Sequence, residues 1–289
     1  MSTGLQIGCW TSSSTSAPNS SEGSELMRRV VRITGIEVVD QQMDEAVAEL
    51  QSIIRGRAGC RSLFFANANT LNFALEDQDY ARVLNRSDLV FGDGTGVRWA
   101  ARLRGLRLQA NLNGSDVVPA LLTATPGLRV FLLGGVDGVN ARAAAGVARQ
   151  FDVEVVGRHH GWLDIGEYAA VIEQINAAAP DLLLVGFGNP AQEEWIARYR
   201  AALRVPLVAG TGGLFGFWAG SRVRASTFAR RIGMEWVDIM IREPHKTGRY
   251  LLGNPKFLYR MVRWIPADRA DGKHSRISDR VATAPRISA

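Results

Sequence analysis

Four short apolar runs in this chain end in glycine-rich turns, and three of them lead into segments with helical spacing. They are Leu89–Phe91 before Gly92-Asp93-Gly94-Thr95-Gly96, Leu128–Leu133 before Gly134-Gly135, Leu182–Val185 before Gly186-Phe187-Gly188, and Leu207–Ala209 before Gly210-Thr211-Gly212-Gly213. Strand and helix alternating at this spacing predict βαβ units, hence a Rossmann-like, doubly wound, mainly parallel α/β sheet. Ligands in such sheets gather at the carboxyl ends of the strands. Asp93 stands at such an end with a glycine on each side. Its carboxylate is open to a substrate, which makes it the best single candidate for a general base.

The remaining elements follow from periodicity. Residues 29–39 alternate as a strand or short hairpin, and Asp44–Ile54 carries the apolar stripe Ala46, Val47, Leu50, Ile53 and Ile54 of an amphipathic helix. Ser62–Ala66 reads as a strand, Thr70–Leu84 as one helix, Gly96–Arg104 as another, and Ser115-Asp116 as the start of a third. Helices are also expected over Val139–Gln150, Glu167–Ala178 and Ala191–Leu203, with a strand at Val153–Val156. After Gly220 the rhythm breaks. Phe228–Ile241 and Pro255–Ile265 look helical. The expected organisation is a disordered leader (1–26, rich in Ser, Thr and Gly), an α/β core (27–220), a C-terminal helical, basic, membrane-proximal appendage (221–266) and a disordered tail (267–289).

Charge is distributed unevenly. The net charge of the chain is +6, yet residues 222–289 hold 15 Lys and Arg against 6 Asp and Glu. The basic character therefore belongs to the C-terminal part. Phe257, Leu258, Met261, Val262, Trp264 and Ile265 share one side of the last helix, interleaved with Lys256, Arg260 and Arg263. Such a helix can lie in a membrane interface, or pack on its own domain with its arginines snorkelling outward. Anionic headgroups suit this pattern better than nucleic acid, for which no binding fold is recognisable. No apolar run is long enough to span a bilayer. Two cysteines are too few for a disulfide framework and point to a reducing, cytoplasmic setting.

Several motifs carry a chemical and a structural reading side by side. Gly134-Gly135 before a helix is a form that presents backbone N–H groups to phosphate, or simply a tight turn. Gly188-Asn189-Pro190-Ala191-Gln192-Glu193 places two polar side chains in the first turn of a helix above a strand end. Glu193 there can serve merely to complement the helix dipole. Asp77-Gln78-Asp79 matches an Asp-x-Asp metal motif but falls within a helical pattern, and is read as solvated charge. His159-His160 lacks a third spaced ligand, so no metal site is assigned.

Taken in order, the blocks Phe65-Ala66-Asn67, Gly92–Gly96, Asn113-Gly114-Ser115-Asp116, Phe131–Gly135, Gly157–Gly161, Pro180–Glu193, Gly210–Gly213, Ala219-Gly220, Arg224-Ala225, Glu235-Trp236 and Glu243-Pro244 resemble the WecG/TagA/CpsF group, glycosyltransferase family 26. The resemblance spans about Val30 to Phe257. It implies an inverting, metal-independent transfer of a sugar from a UDP-sugar to a polyprenyl-diphosphate-linked glycan, without a cofactor, at the inner face of the plasma membrane. The sugar is of the N-acetylmannosamine type, glucose or a uronic acid, and the product belongs to cell-surface or exopolysaccharide synthesis. Asp93 is the implied base. The implied substrate-binding residues are Asn67, Gly94, Thr95, Asp116, Gly134, Gly135, Gly188 and Gln192, with Arg222, Arg224 and Arg249 reaching the leaving diphosphate from the appendage. The partners implied are the donor, the lipid-linked acceptor, an anionic membrane surface and a possible homo-oligomer.

Three positions depart from the family's pattern. Phe65 stands where members commonly carry threonine, Asn111 where an arginine often precedes the next block, and Ser226 where the family has proline. The first two are expected to alter the sugar or acceptor pocket. Two other functions fit parts of the sequence: a nucleotide-linked oxidoreductase, which lacks the acidic ribose ligand, and a non-catalytic membrane-surface module, which leaves Asn67, Asp93 and Gln192 without a task.

Overall fold

The computed structural model describes residues 27–222, residues 256, 257, 259 and 260, and residues 278–281. The leader, the helix expected over Phe228–Ile241, and Arg224 and Arg249 lie outside the described residues.

The described residues open with a hairpin, β1 (Met27–Ile33) and β2 (Ile36–Val39), turned at Thr34 and Gly35, both with positive φ. Helix α1 (Met43–Gly56) leads to β3 (Arg61–Ala66). The single helix expected next is instead two, α2 (Ala68–Glu76) and α3 (Gln78–Asn85). Asp77 causes the break. Its Oδ1 accepts from Asp79 N at 2.8 Å and Tyr80 N at 3.1 Å, capping α3. The Asp-x-Asp match is thus helix-capping chemistry.

The alternation then runs β4 (Leu89–Gly92), α4 (Thr95–Leu103), α5 (Gly114–Ala124), β5 (Leu128–Gly134), α6 (Asp137–Gln150), β6 (Val153–His159), α7 (Tyr168–Ala178), β7 (Leu182–Gly186), α8 (Ala191–Tyr199), β8 (Leu207–Gly210) and α9 (Leu214–Trp218). A strand β9 (Ser278–Val281) pairs antiparallel with β1, within the tail expected to be disordered. Backbone pairing, which needs no apolar side chains, gives these polar residues their place.

The sheet order is β6-β5-β7-β8-β3-β4-β2-β1-β9. Pairing is parallel from β6 through β2 and antiparallel at β1 and β9. Strand alternation divides the core into two layers. On β5, Phe131 and Leu133 face α2, α3, α4, α7 and α8, whereas Val130 and Leu132 face α1, α5, α6 and α9. This is the expected doubly wound sheet. The carboxyl ends of β5, β7, β8, β3 and β4 therefore stand in one row, ending at Gly134, Gly186, Gly210, Ala66 and Gly92.

The start of the last helix is also placed. Phe257 is fully buried in the same layer as α2, α3 and α4. Lys256 Nζ and Arg260 Nη2 each reach Glu76 Oε1 at 2.7 Å, and Arg260 Nη1 donates to Asn72 Oδ1 at 3.2 Å. This turn therefore packs on its own domain, as the second reading of that helix required. Tyr259 beside it is exposed.

Candidate active site

Asn67 and Asp93 follow the adjacent strands β3 and β4, and a single backbone bond sets their register. The Asp93 N–H donates to the Ala66 carbonyl at 2.9 Å, continuing the ladder one residue past the strand. Asn67 is the N-cap of α2, its Oδ1 accepting from Asn69 N at 3.0 Å and Thr70 N at 3.1 Å. Its side-chain oxygen is thus engaged in the helix start. The two loops can approach because Gly96 has no side chain. A Cβ there would lie 2.9 Å from the Cβ of Ala68.

Gly94, with φ +90°, turns the chain between Asp93 and α4, and its N–H donates to Asn111 Oδ1 at 2.8 Å. Asn111 therefore holds the loop of the candidate base. Asp93 and Thr95 are half-buried at the mouth of this turn. Phe65 points away from the crevice. It is buried in the α1/α5 layer, packs edge-on against Phe91 at 6.1 Å, and meets α5 at Gly114. Asp116, in the first turn of α5, accepts from Asn113 Nδ2 at 2.6 Å.

The loops after β7 and β8 are tied by one side chain. Gln192 Oε1 accepts from Gly188 N at 3.1 Å and Gly212 N at 2.9 Å, and its Nε2 donates to Glu193 Oε1 at 2.8 Å. Gln192 is 2% exposed and Glu193 fully buried. Glu193 Oε1 also accepts from Asn189 Nδ2 at 2.6 Å. Burial pushes the Glu193 carboxyl up from its ordinary 4.5 to about 7, against the opposing effect of these donors. The buried Tyr80 hydroxyl on α3 lies beside this carboxyl without a hydrogen bond of standard geometry, and burial first, then Glu193, raises its pKa. Glu193 thus does more than complement a dipole, and Gln192 has a structural task the sequence did not suggest. Periodicity held the clue: Gln192 and Glu193 share the buried face of α8 with Trp195 and Ile196.

Gly134 and Gly135 form a tight turn. Gly134, at φ +135°, packs so closely on Gly186 that a Cβ would meet that backbone at 2.6–2.8 Å. The buried Asn140 amide braces the turn by donating to the carbonyls of Leu132, Gly134 and His159. The rings of His159 and His160 lie tilted against each other with centroids 4.4 Å apart. No group of three or more potential metal-binding side chains occurs among the described residues.

Arg222 completes the row. Its N–H donates to the Gly216 carbonyl at 3.0 Å, and its side chain runs back over Gly216 and Gly213 toward the β8 turn. A Cβ at Gly216 would meet its Cδ at 2.7 Å. A guanidinium is thereby stationed beside the Thr211–Gly213 turn, next to the loops that Gln192 ties together. Of the candidate residues, Asn67, Asp93, Gly94, Gly135 and Gly188 lie in loops after the carboxyl ends of the strands, Gly134 ends β5, Thr95 and Gln192 stand in the first turns of α4 and α8, and Arg222 follows α9 with its side chain against Gly213.

A carboxylate, amide groups and a guanidinium spread over the strand ends of a doubly wound sheet suit an enzyme that binds its ligand in the crevice there. The family to which the sequence belongs makes that enzyme a glycosyltransferase. The sequence model of the "Glycosyl transferase WecG/TagA/CpsF family" matches residues 31–270, and the chain belongs to that family. It is similar to proteins of Staphylococcus aureus strains MRSA252, MW2 and NCTC 8325 named N-acetylglucosaminyldiphosphoundecaprenol N-acetyl-beta-D-mannosaminyltransferase. Each is 27% identical over 237 residues, covering 81% of this chain and 92% of the relative.

Proposed function

We propose that this glycosyltransferase moves an N-acetylmannosamine-type sugar from a UDP-sugar, with inversion and without a metal, to an N-acetylglucosamine carried on a polyprenyl diphosphate. The observation that carries the reading is the juxtaposition of Asp93 and Asn67 at the ends of neighbouring strands. The relatives' printed names supply the transferred sugar and the acceptor. Glucose or a uronic acid remain the alternative donors.

Inversion needs the acceptor hydroxyl to attack C1 from the face opposite the departing UDP. Asp93 takes the hydroxyl proton as the new C–O bond forms. The C1–O bond to the diphosphate breaks, and the electron pair leaves with UDP. Charge then grows on the diphosphate oxygens, where Arg222 can pair in a bidentate manner. Arg224 and Arg249 are proposed to join it from the appendage. Asn67 orients the sugar, while Gln192 keeps the β7 and β8 turns at a fixed separation. No helix among the described residues is long and apolar enough to cross a membrane. We propose that the lipid acceptor is met from the membrane surface, on its inner face.

The test is a screen of UDP-sugars for UDP release, using a short-chain N-acetylglucosaminyl diphospholipid acceptor, with and without EDTA. UDP-N-acetylmannosamine should give acceptor-dependent release that EDTA leaves unchanged, with product of inverted anomeric configuration by NMR. Acceptor-independent release, or retention of configuration, would overturn the mechanism.

A further inference from the structure

Residues 95–110, in and just after α4, contain four arginines and no acidic residue, although residues 1–221 as a whole carry more acid than base. On α4, Trp99 is 42% exposed and Leu103 45% exposed, one helical turn apart. Arg102 and Arg107 are exposed beside them and Arg98 is half-buried. No described residue pairs with these three. Arg104 is engaged differently, its Nη1 donating to the Arg32 carbonyl at 3.2 Å. The opposite side of α4 is fixed by Val97, Ala100 and Ala101 in the core.

We propose that the outer face of α4 is a membrane-contact surface, which inserts Trp99 and Leu103 at the headgroup level of an anionic bilayer while Arg102 and Arg107 meet the lipid phosphates. A Trp and a Leu flanked by unpaired arginines form the pattern of an interfacial helix. Isolated exposed apolar residues need no explanation, but a contiguous pair within a cationic stretch marks an interaction surface. The charge complements anionic headgroups. Position supports the same occupant. Val97 and Phe257 belong to one core layer, so α4 and the docked start of the basic appendage lie on the same face of the sheet. The inference rests on the lipid-linked acceptor proposed above. It adds that α4, which begins two residues after Asp93, ties the base to the membrane plane.

The test uses the full-length protein, with sedimentation on phosphatidylcholine vesicles with and without phosphatidylglycerol. Two double variants are compared with wild type, Trp99→Ser with Leu103→Ser, and Arg102→Gln with Arg107→Gln. Each should bind the anionic vesicles about tenfold more weakly, melt as wild type does, and keep turnover on the short-chain acceptor. Turnover of polyprenyl acceptor in vesicles should fall in parallel. Vesicle binding equal to wild type in both variants would overturn the proposal. So would unchanged vesicle binding with a shift in oligomeric state by light scattering, which would make the face a contact between copies. Absence of transfer by the wild type would count against the proposed function alone, since vesicle binding is read without it.

Discussion

Gln192 and Glu193, consecutive on the buried face of α8, are joined side chain to side chain, Nε2 of the first donating to Oε1 of the second at 2.8 Å. Glu193 thereby holds the glutamine that ties the β7 and β8 turns. A carboxyl raised from 4.5 to about 7 by burial keeps its proton in the folded chain after the unfolded chain has lost it. Stability from this group is thus fully present below about pH 4.5, falls as pH rises toward 7, and levels off above. The loss should amount to roughly 3 kcal/mol. Glu193→Gln should remove this slope, so that urea unfolding of variant and wild type between about pH 5 and pH 8 diverges. Parallel pH profiles would remove Glu193 as the source.

Asp93→Asn should lower transfer by about 10²- to 10⁴-fold, the range for losing a general base, with unchanged circular dichroism and melting. Asparagine keeps the size of the side chain and leaves the Asp93 N–H bond to Ala66 intact. Turnover within a few-fold of wild type would exclude Asp93 as the base.

The layered fold was legible because its strands are short apolar runs and its turns are glycines. Leu128–Gly134 and Leu182–Gly186 stand where the sequence places them. The position of Asp93 directly after β4 was legible for the same reason. What periodicity hides is the partner of a side chain. The cap at Asp77 divides a helix whose apolar spacing continues across it. Phe65 looks like a pocket residue by its distance from Asn67, yet its ring is buried in the α1/α5 layer against Phe91. The neighbours of Glu193 include Tyr80 on α3 and Asn189 in the loop before α8.

Arg222 and Gly213 offer a way to separate position from presence. A Cβ at Gly213 would meet the Arg222 guanidinium, the mobile end of a flexible side chain, so Gly213→Ala should cost at most about 1 kcal/mol of stability. It should nonetheless displace the guanidinium. If Arg222 pairs with the leaving diphosphate, Gly213→Ala and Arg222→Ala should both lower kcat by about tenfold or more, and the double variant should be no worse than Arg222→Ala. Additive losses would show that the two residues act separately.

Gly134 and Gly135 discriminate between a turn that only shapes the sheet edge and one that also holds phosphate. At Gly134 a Cβ would strike the Gly186 backbone, which cannot move aside, and Gly134→Ala should destabilise by about 3 kcal/mol. At Gly135 a Cβ meets nothing within 4 Å, and only the positive φ of 68° opposes it. Gly135→Ala should therefore cost about 1 kcal/mol and yield a folded protein whose kinetics can be read. If backbone N–H groups of this turn approach the donor diphosphate, the new methyl should raise KM for the UDP-sugar while leaving the melting temperature near wild type. An unchanged KM in this variant would assign the turn to structure alone.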